Sequence, residues 1–144
     1  MDTLTATATI SIKAPAEKIW EALTTPELVK QWMFGTTVAS NWQKGGDITY
    51  SGVWEDKPYE DKGTILNVIP GRLLETSYWS ASFGPDTPEN RKMVTYAIKP
   101  ESNGALVTIT QGGNKDETER ATHEGNWRMV LEKLKTLVEG LPTH

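Results

Sequence analysis

The chain opens on an alternation of period two. In TLTATATISIK, residues 3–13, Leu4, Ala6, Ala8, Ile10 and Ile12 share one face, which predicts a half-buried strand. The period then lengthens. In APAEKIWEALTT, residues 14–25, a proline suited to a first helical turn precedes a stripe of Ile19, Trp20 and Leu23. The pattern restarts in TPELVKQW, where Thr25 stands at the cap, Pro26 takes the first position, Glu27 sits in the first turn, and Leu28 and Trp32 face inward. Two short helices in succession make a corner. After the turn KGGD, residues 44–47, alternation returns: ITYSGVW puts Ile48, Tyr50, Gly52 and Trp54 on one face and Thr49, Ser51 and Val53 on the other. YEDKGTILNVIP, 59–70, and GRLLETSYWSASF, 71–83, predict strands joined at Pro70-Gly71, and FGPDTPEN is a loop. RKMVTYAIKP, 91–100, and ALVTITQ, 105–111, pair across ESNG, with Val94, Tyr96 and Ile98 opposite Val107, Ile109 and Gln111 on the inner face.

The last segment returns to helical spacing. Asn114 is its expected cap, with Glu117 as reciprocal partner, and Gly140 and Pro142 stop it. At about 1.5 Å per residue the helix is roughly 35–40 Å long, the one element able to cover the sheet. The order strand, two short helices, a series of strands and one long helix predicts an α+β fold. A curved antiparallel sheet of about six to seven strands wraps around the C-terminal helix, as one domain over residues 1–144.

On that helix Trp127, Val130, Leu131, Leu134, Leu137, Val138 and Leu141 fall in one inward stripe. Carried toward the N-terminus, the stripe meets His123, Arg120 and Asp116, with Glu124 at its edge, so the inward face changes from apolar to polar at Trp127. Gly125 falls on the outer face, where it costs about 1 kcal/mol against Ala and marks a candidate bend. Two readings remain open. The polar half either roofs a cavity or overhangs the sheet into water, with Arg120 and His123 paired to strand carboxylates. Large amphipathic rings are available as walls: Trp32, Trp42, Tyr50, Trp54, Tyr78, Trp79 and Tyr96. Parity leaves Tyr78 and Trp79 both open for the inner face; Glu75 shares a face with Trp79, which favours Tyr78 inward.

Composition narrows the classes. The 144 residues carry a net charge of −4 with no basic run, which argues against nucleic acid or an anionic membrane as partner. There is no cysteine, so neither disulfides nor thiolate chemistry enters, and the alternating N-terminus is neither a signal peptide nor a membrane span. A cytoplasmic location is the default expectation. Six tryptophans suit a core or a pocket. Two histidines cannot assemble zinc coordination, and His144 is terminal. QGGNK lacks the glycine spacing and the Lys-Ser/Thr of a phosphate loop. No metal or cofactor is expected.

IKAPAEKIWEALTTPELVKQWM, W-x-x-GG-D-I, KGTILNVIPGRLL and W-x-x-V-L-E-x-L-K-x-L-V-E, taken in order, resemble the bacterial family similar to the C-terminal domain of the activator of the heat-shock ninety-kilodalton ATPase. That family belongs to the START-like (SRPBCC) superfamily, which includes the birch-pollen allergen, and the likeness runs from Ile10 to Glu139. It implies a helix-grip fold with an elongated cavity between the long helix and the sheet. The ligands implied are lipids, sterols, polyketides and other hydrophobic aromatics, and some members are linked to stress. It supplies no catalytic motif to carry over. GNW and the short FGPDTPEN loop are departures at the cavity mouth, so the ligand cannot be borrowed from a relative.

The expected function is therefore binding of a small hydrophobic or aromatic molecule beneath residues 116–127. The expected cavity residues are Trp32, Tyr50, Trp54, Tyr78, Tyr96, Arg120, His123 and Trp127. Two alternatives stand beside it. One is a cyclase- or dehydratase-like enzyme with His123 as base and Arg120 as oxyanion partner. The other is a module that touches a chaperone ATPase through the exposed DKPYEDKG stretch.

Overall fold

The computed structural model describes residues 4–33 and 35–140, with backbone alone for Trp54, Ser82 and Pro88. The elements are β1 (Leu4–Ile12), α1 (Ala16–Thr24), α2 (Pro26–Trp32), β2 (Thr37–Ser40), β3 (Asp47–Trp54), β4 (Lys57–Ile69), β5 (Leu73–Tyr78), β6 (Lys92–Glu101), β7 (Gly104–Asn114) and α3 (Glu117–Glu139). Single 3-10 turns occupy Ala81–Phe83 and Pro88–Asn90. One antiparallel sheet runs β1-β7-β6-β5-β4-β3-β2. Consecutive strands from β2 to β7 are neighbours, joined by turns except between β5 and β6, where the longer segment 79–91 intervenes, while α1 and α2 carry the chain from the β1 edge to the β2 edge. The result is the expected α+β helix-grip architecture, a curved sheet with α3 lying across it.

Register follows the inner-face alternation. Val94 pairs with Gln111, Tyr96 with Ile109 and Ile98 with Val107, and all six are buried. Ile19, Val29, Ile65, Val107, Ile109 and Leu134 are fully inaccessible and make the centre of the core. The C-terminal half of α3 seals it through Leu131, Leu134 and Val138, with Val130 and Leu137 packed alongside; Leu141 lies outside the described residues.

Several boundaries differ from those expected, for identifiable reasons. β3 and β4 join through a two-residue turn at Glu55-Asp56, both left-handed with φ of 50° and 65°. That is the backbone of a type I′ hairpin, usually signalled by Asn-Gly. Strand β4 thus starts at Lys57 and absorbs most of DKPYEDKG. β2 was not foreseen, being only four residues long, and β5 stops at Tyr78, so Phe83 belongs to a 3-10 turn.

The start of α3 also needs correcting. Its cap is Asp116, whose carboxylate accepts from the Glu119 amide at 2.8 Å, and Asn114 is the last residue of β7. The cause is a bulge. Ala6 pairs with Gln111 but Leu4 with Asn114, one residue out of step, with Gly113 at φ +78°. The extra residue reverses parity, so Asn114 turns inward and is buried.

α3 is tied along the outer edge of β1. Glu124 accepts from the Thr7 amide at 3.2 Å and Glu139 from the Lys13 amide at 2.8 Å, while Lys135 donates to the Ser11 carbonyl at 3.0 Å. From Glu124 to Glu139 the helix rises roughly 22 Å, and from Thr7 to Lys13 the strand advances about 20 Å. The matched rises let the helix side chains occupy the free polar groups of an edge strand, which would otherwise invite pairing with another chain.

Candidate functional site: a cavity beneath the first half of the long helix

Between the N-terminal half of α3 and the sheet lies a cavity of about 480 Å³. Its floor is built by alternation on successive strands: Tyr50 from β3, Tyr59 and Asp61 from β4, Tyr78 from β5, Tyr96 from β6 and Gln111 from β7. The roof is His123, Asn126, Trp127 and Val130 of α3. Met33 and Thr36, after α2, and Ser80 and Phe83, after β5, complete the lining. Tyr59 is admitted by a glycine. A Cβ on its cross-strand partner Gly52 would stand 2.7 Å from the Tyr59 oxygen, so the bare backbone is what lets that hydroxyl reach 2.6 Å from Thr36 Oγ1.

The aromatic walls meet edge to face. Tyr96 and Trp127 have centroids 6.0 Å apart, Tyr78 and Phe83 5.7 Å, and Phe83 and His123 6.2 Å. Lys92, buried, holds the wall behind Phe83. Its ammonium lies 4.8 Å from that ring, donates to the Gly113 carbonyl at 2.8 Å and pairs with Glu119 at 2.7 Å. The hydrogen bond from Lys92 holds the Glu119 carboxyl below its ordinary value.

A polar chain fixes the chemistry of His123. The Trp127 indole donates to Gln111 Oε1 at 2.6 Å; an indole can only donate, so Gln111 Nε2 is left as a donor. Asn114 Nδ2 donates to the Leu4 and Gln111 carbonyls at 3.0 and 2.9 Å. Its Oδ1 therefore accepts, and it lies 2.7 Å from His123 Nδ1. Nδ1 carries the proton; the contact with Gln111 Nε2, at 3.1 Å, is donor to donor in that tautomer and yields to the shorter one. Burial pushes the imidazole pKa down, with Lys92 acting in the same direction and Glu119 against it. His123 is thus a neutral ring whose Nε2 holds a lone pair.

The floor holds one carboxylate. Asp61 Oδ2 accepts from the Tyr78 hydroxyl at 2.6 Å. Burial raises the phenol of Tyr78, and the neighbouring Asp61 charge raises it further. Burial pushes Tyr50 up to about 12, partly offset by a hydrogen bond from Tyr96, and carries Tyr96 well above its ordinary range. These phenols stay protonated at neutral pH. Among the described residues no three His, Cys, Asp or Glu side chains gather as a metal site, and no helix is long and apolar enough to cross a membrane.

A family model described as Activator of Hsp90 ATPase homolog 1-like protein matches residues 13–139. The chain belongs to this family. Among solved structures, one from Cytophaga hutchinsonii is 43% identical over 96% of both chains, with a TM-score of 0.84. A protein from Mesorhizobium loti is 22% identical, covering 96% of this chain and 99% of that one, with a TM-score of 0.80. The Aha1 dimer from Colwellia psychrerythraea is 21% identical over 94% and 96% of the two chains, with a TM-score of 0.73. The last two show the fold alone. No curated protein matches the chain. The resemblance read between Ile10 and Glu139 is borne out at the level of family and fold.

Of the eight residues expected in the cavity, the structure brings five together there: Tyr50, Tyr78, Tyr96, His123 and Trp127. Trp32 belongs to the core instead, 2% exposed, with its indole donating to the Ala22 carbonyl at 2.8 Å to lock α2 on α1. Arg120 does not line the cavity either; it is held by Glu117 and Glu124, and Glu124 is in turn committed to β1. The Trp54 side chain lies outside the described residues. The helical wheel explains Arg120. At about 100° per residue from Trp127, His123, Val130 and Asn126 lie roughly 40–100° to one side, over the cavity, and Arg120, Leu131 and Glu124 about 20–60° to the other, toward β1. Sequence reasoning missed Tyr59, Asp61, Phe83 and Asn126. Tyr59 and Asp61 do share the strand parity of Ile65, and that was the available signal; Phe83 sits in a loop, where no periodicity applies.

Proposed function

We infer that this protein is a receptor for a small hydrophobic or aromatic molecule held between α3 and the sheet. The supporting observation is the cavity itself: about 480 Å³, within the ordinary range for small-molecule sites, walled by aromatic rings and carrying a few convergent polar groups. Trp127, Tyr96 and Phe83 offer ring faces and edges, and His123 Nε2 and the tyrosine hydroxyls offer orientation.

A catalytic reading draws on one specific feature, the His123 tautomer. A neutral imidazole with Nδ1–H held by Asn114 has the form of a general base. Arg120 cannot serve it as oxyanion partner, because it lies on the β1 flank of the helix. Isothermal titration with 2-naphthylmethanol, a neutral aromatic alcohol, separates the readings from an empty fold. Saturable binding to the native chain, abolished by Val130→Phe with the melting transition retained, supports the receptor. No binding, with native mass spectrometry of host-purified protein showing no co-purified molecule, counts against it.

A further inference from the structure

The cavity has an electrostatic polarity that a plain hydrophobic receptor does not need. Asp61 is the one formally charged side chain on its lining, since His123 is neutral and the other polar groups are hydroxyls or amides. The ion pairs found among the described residues leave Asp61 out; its partner is a neutral phenol, the Tyr78 hydroxyl at 2.6 Å.

Aromatic rings surround that carboxylate. Tyr50 is its direct cross-strand partner on β3. Tyr59 stands two residues before it on β4, hence on the same face, and Tyr78 reaches it from β5. Each ring presents a negative face, and burial keeps Tyr50 and Tyr78 as phenols. A carboxylate in a half-buried, aromatic-lined pocket attracts a cation and repels an anion, and more strongly than it would in open water. A neutral apolar ligand seated there would desolvate Asp61 with no compensating charge.

We propose that the cavity takes an aromatic ligand bearing an ammonium group, with the cation lodged among Tyr50, Tyr59 and Tyr78 against Asp61 and the ring system extending toward Trp127 and Phe83. The proposal rests on the receptor reading and names the chemical class of what is received. His123 Nε2, a lone pair on the roof, accepts from a hydroxyl or amine N–H at the other end of such a molecule. The geometry therefore favours a ligand with donors at both ends and a flat middle.

The test uses three matched probes at pH 7.5 by isothermal titration calorimetry on the full chain: 2-naphthylmethylamine, which is cationic, 2-naphthylmethanol, which is neutral, and 2-naphthoate, which is anionic. The amine is expected to bind about tenfold tighter than the alcohol or better, and the carboxylate weakest. Asp61→Asn is expected to erase the preference for the amine, with the alcohol binding at least as tightly as it does to the native chain, and a retained thermal transition reports that the variant is folded. An alcohol or carboxylate that binds as tightly as the amine, or a preference that survives in Asp61→Asn, overturns the cation assignment and leaves the receptor standing. If none of the three binds and host-purified protein carries no co-purified molecule, the receptor reading itself fails and the assignment falls with it; a co-purified molecule without an ammonium group overturns the assignment alone.

Discussion

Replacing Lys92 by Met isolates the contact that holds the first turn of α3 over the cavity. The unbranched apolar stem is kept, but the ammonium is deleted, and with it the contact on the Phe83 ring at 4.8 Å. Two acceptors lose their donor: Glu119, at 2.7 Å, and the Gly113 carbonyl, at 2.8 Å. Breaking a fully buried ion pair costs about 3–5 kcal/mol. Here the Glu119 side chain is 21% exposed and Gly113 lies at the surface, so water restores part of the loss, and about 2 kcal/mol is expected. For a domain of this length that is a fall in Tm of about 7 °C. The effect depends on pH with a definite sign. The Glu119 carboxyl titrates below its ordinary value of 4.5, chiefly because Lys92 donates to it. A depressed folded pKa gives stability that is present above the unfolded value and disappears as pH falls through the folded one. Urea melts of native and Lys92→Met protein should therefore differ most at pH 7, and the gap should narrow as pH falls below 4.5 toward the part owed to the Gly113 carbonyl. Equal stability at pH 7, or a gap that persists unchanged into acid, would refute the reasoning.

Heteronuclear NMR of the imidazole of His123 should show the Nδ1–H tautomer and a titration midpoint below 6.5; its stabilising contribution is then present above pH 6.5 and lost as pH falls through the lowered midpoint. An Nε2–H tautomer would contradict the hydrogen-bond assignment through Asn114. Gly125→Ala should stabilise the protein by about 0.5–1 kcal/mol in thermal melts, because a Cβ there meets nothing within 4 Å and the residue is helical; a loss of stability would mean that the glycine serves a bend. Gln111→Leu removes the acceptor of the Trp127 indole at a position 2% exposed, and should cost about 1–3 kcal/mol and shift the tryptophan emission. An unchanged spectrum would show that the bond is absent in solution.

Long periodic segments were legible because each buries one face against something large. β1, the β6–β7 register and the apolar half of α3 follow from alternation or helical spacing alone, since a slip of one residue would expose the whole set. The Glu55-Asp56 turn was illegible because its left-handed backbone is held by the paired strands on either side, against the local preference of Glu55 and without the glycine that usually marks it. Asn114 misled for a related reason. Before a helix it looks like a cap, and only the extra residue at Gly112-Gly113 assigns it to the strand and aims it at His123. Arg120 shows the limit of a wheel read by angle alone. A deviation of about 20° from Trp127 is inside the inward stripe, yet its sign decides between the cavity and the β1 edge. That sign depends on which side of α3 the edge strand lies, a tertiary fact with no local signature.

The polar lining answers a stability problem before it answers a binding one. A dry hollow beneath α3 would cost stability, because its lining forfeits packing contacts. An all-apolar lining would therefore favour collapse of α3 onto the sheet. Tyrosine hydroxyls, Asp61 and His123 instead put polar atoms on the lining, where water can be hydrogen-bonded. Meanwhile Lys92–Glu119, Glu124–Thr7 and Trp127–Gln111 hold the helix at its distance. The same groups then constrain the ligand. Any molecule that displaces water there must offer hydrogen bonds in its place, and beside Asp61 it must also answer a charge. A purely hydrocarbon ligand would fill the volume but leave those groups unpaired, so the polar lining also selects what enters.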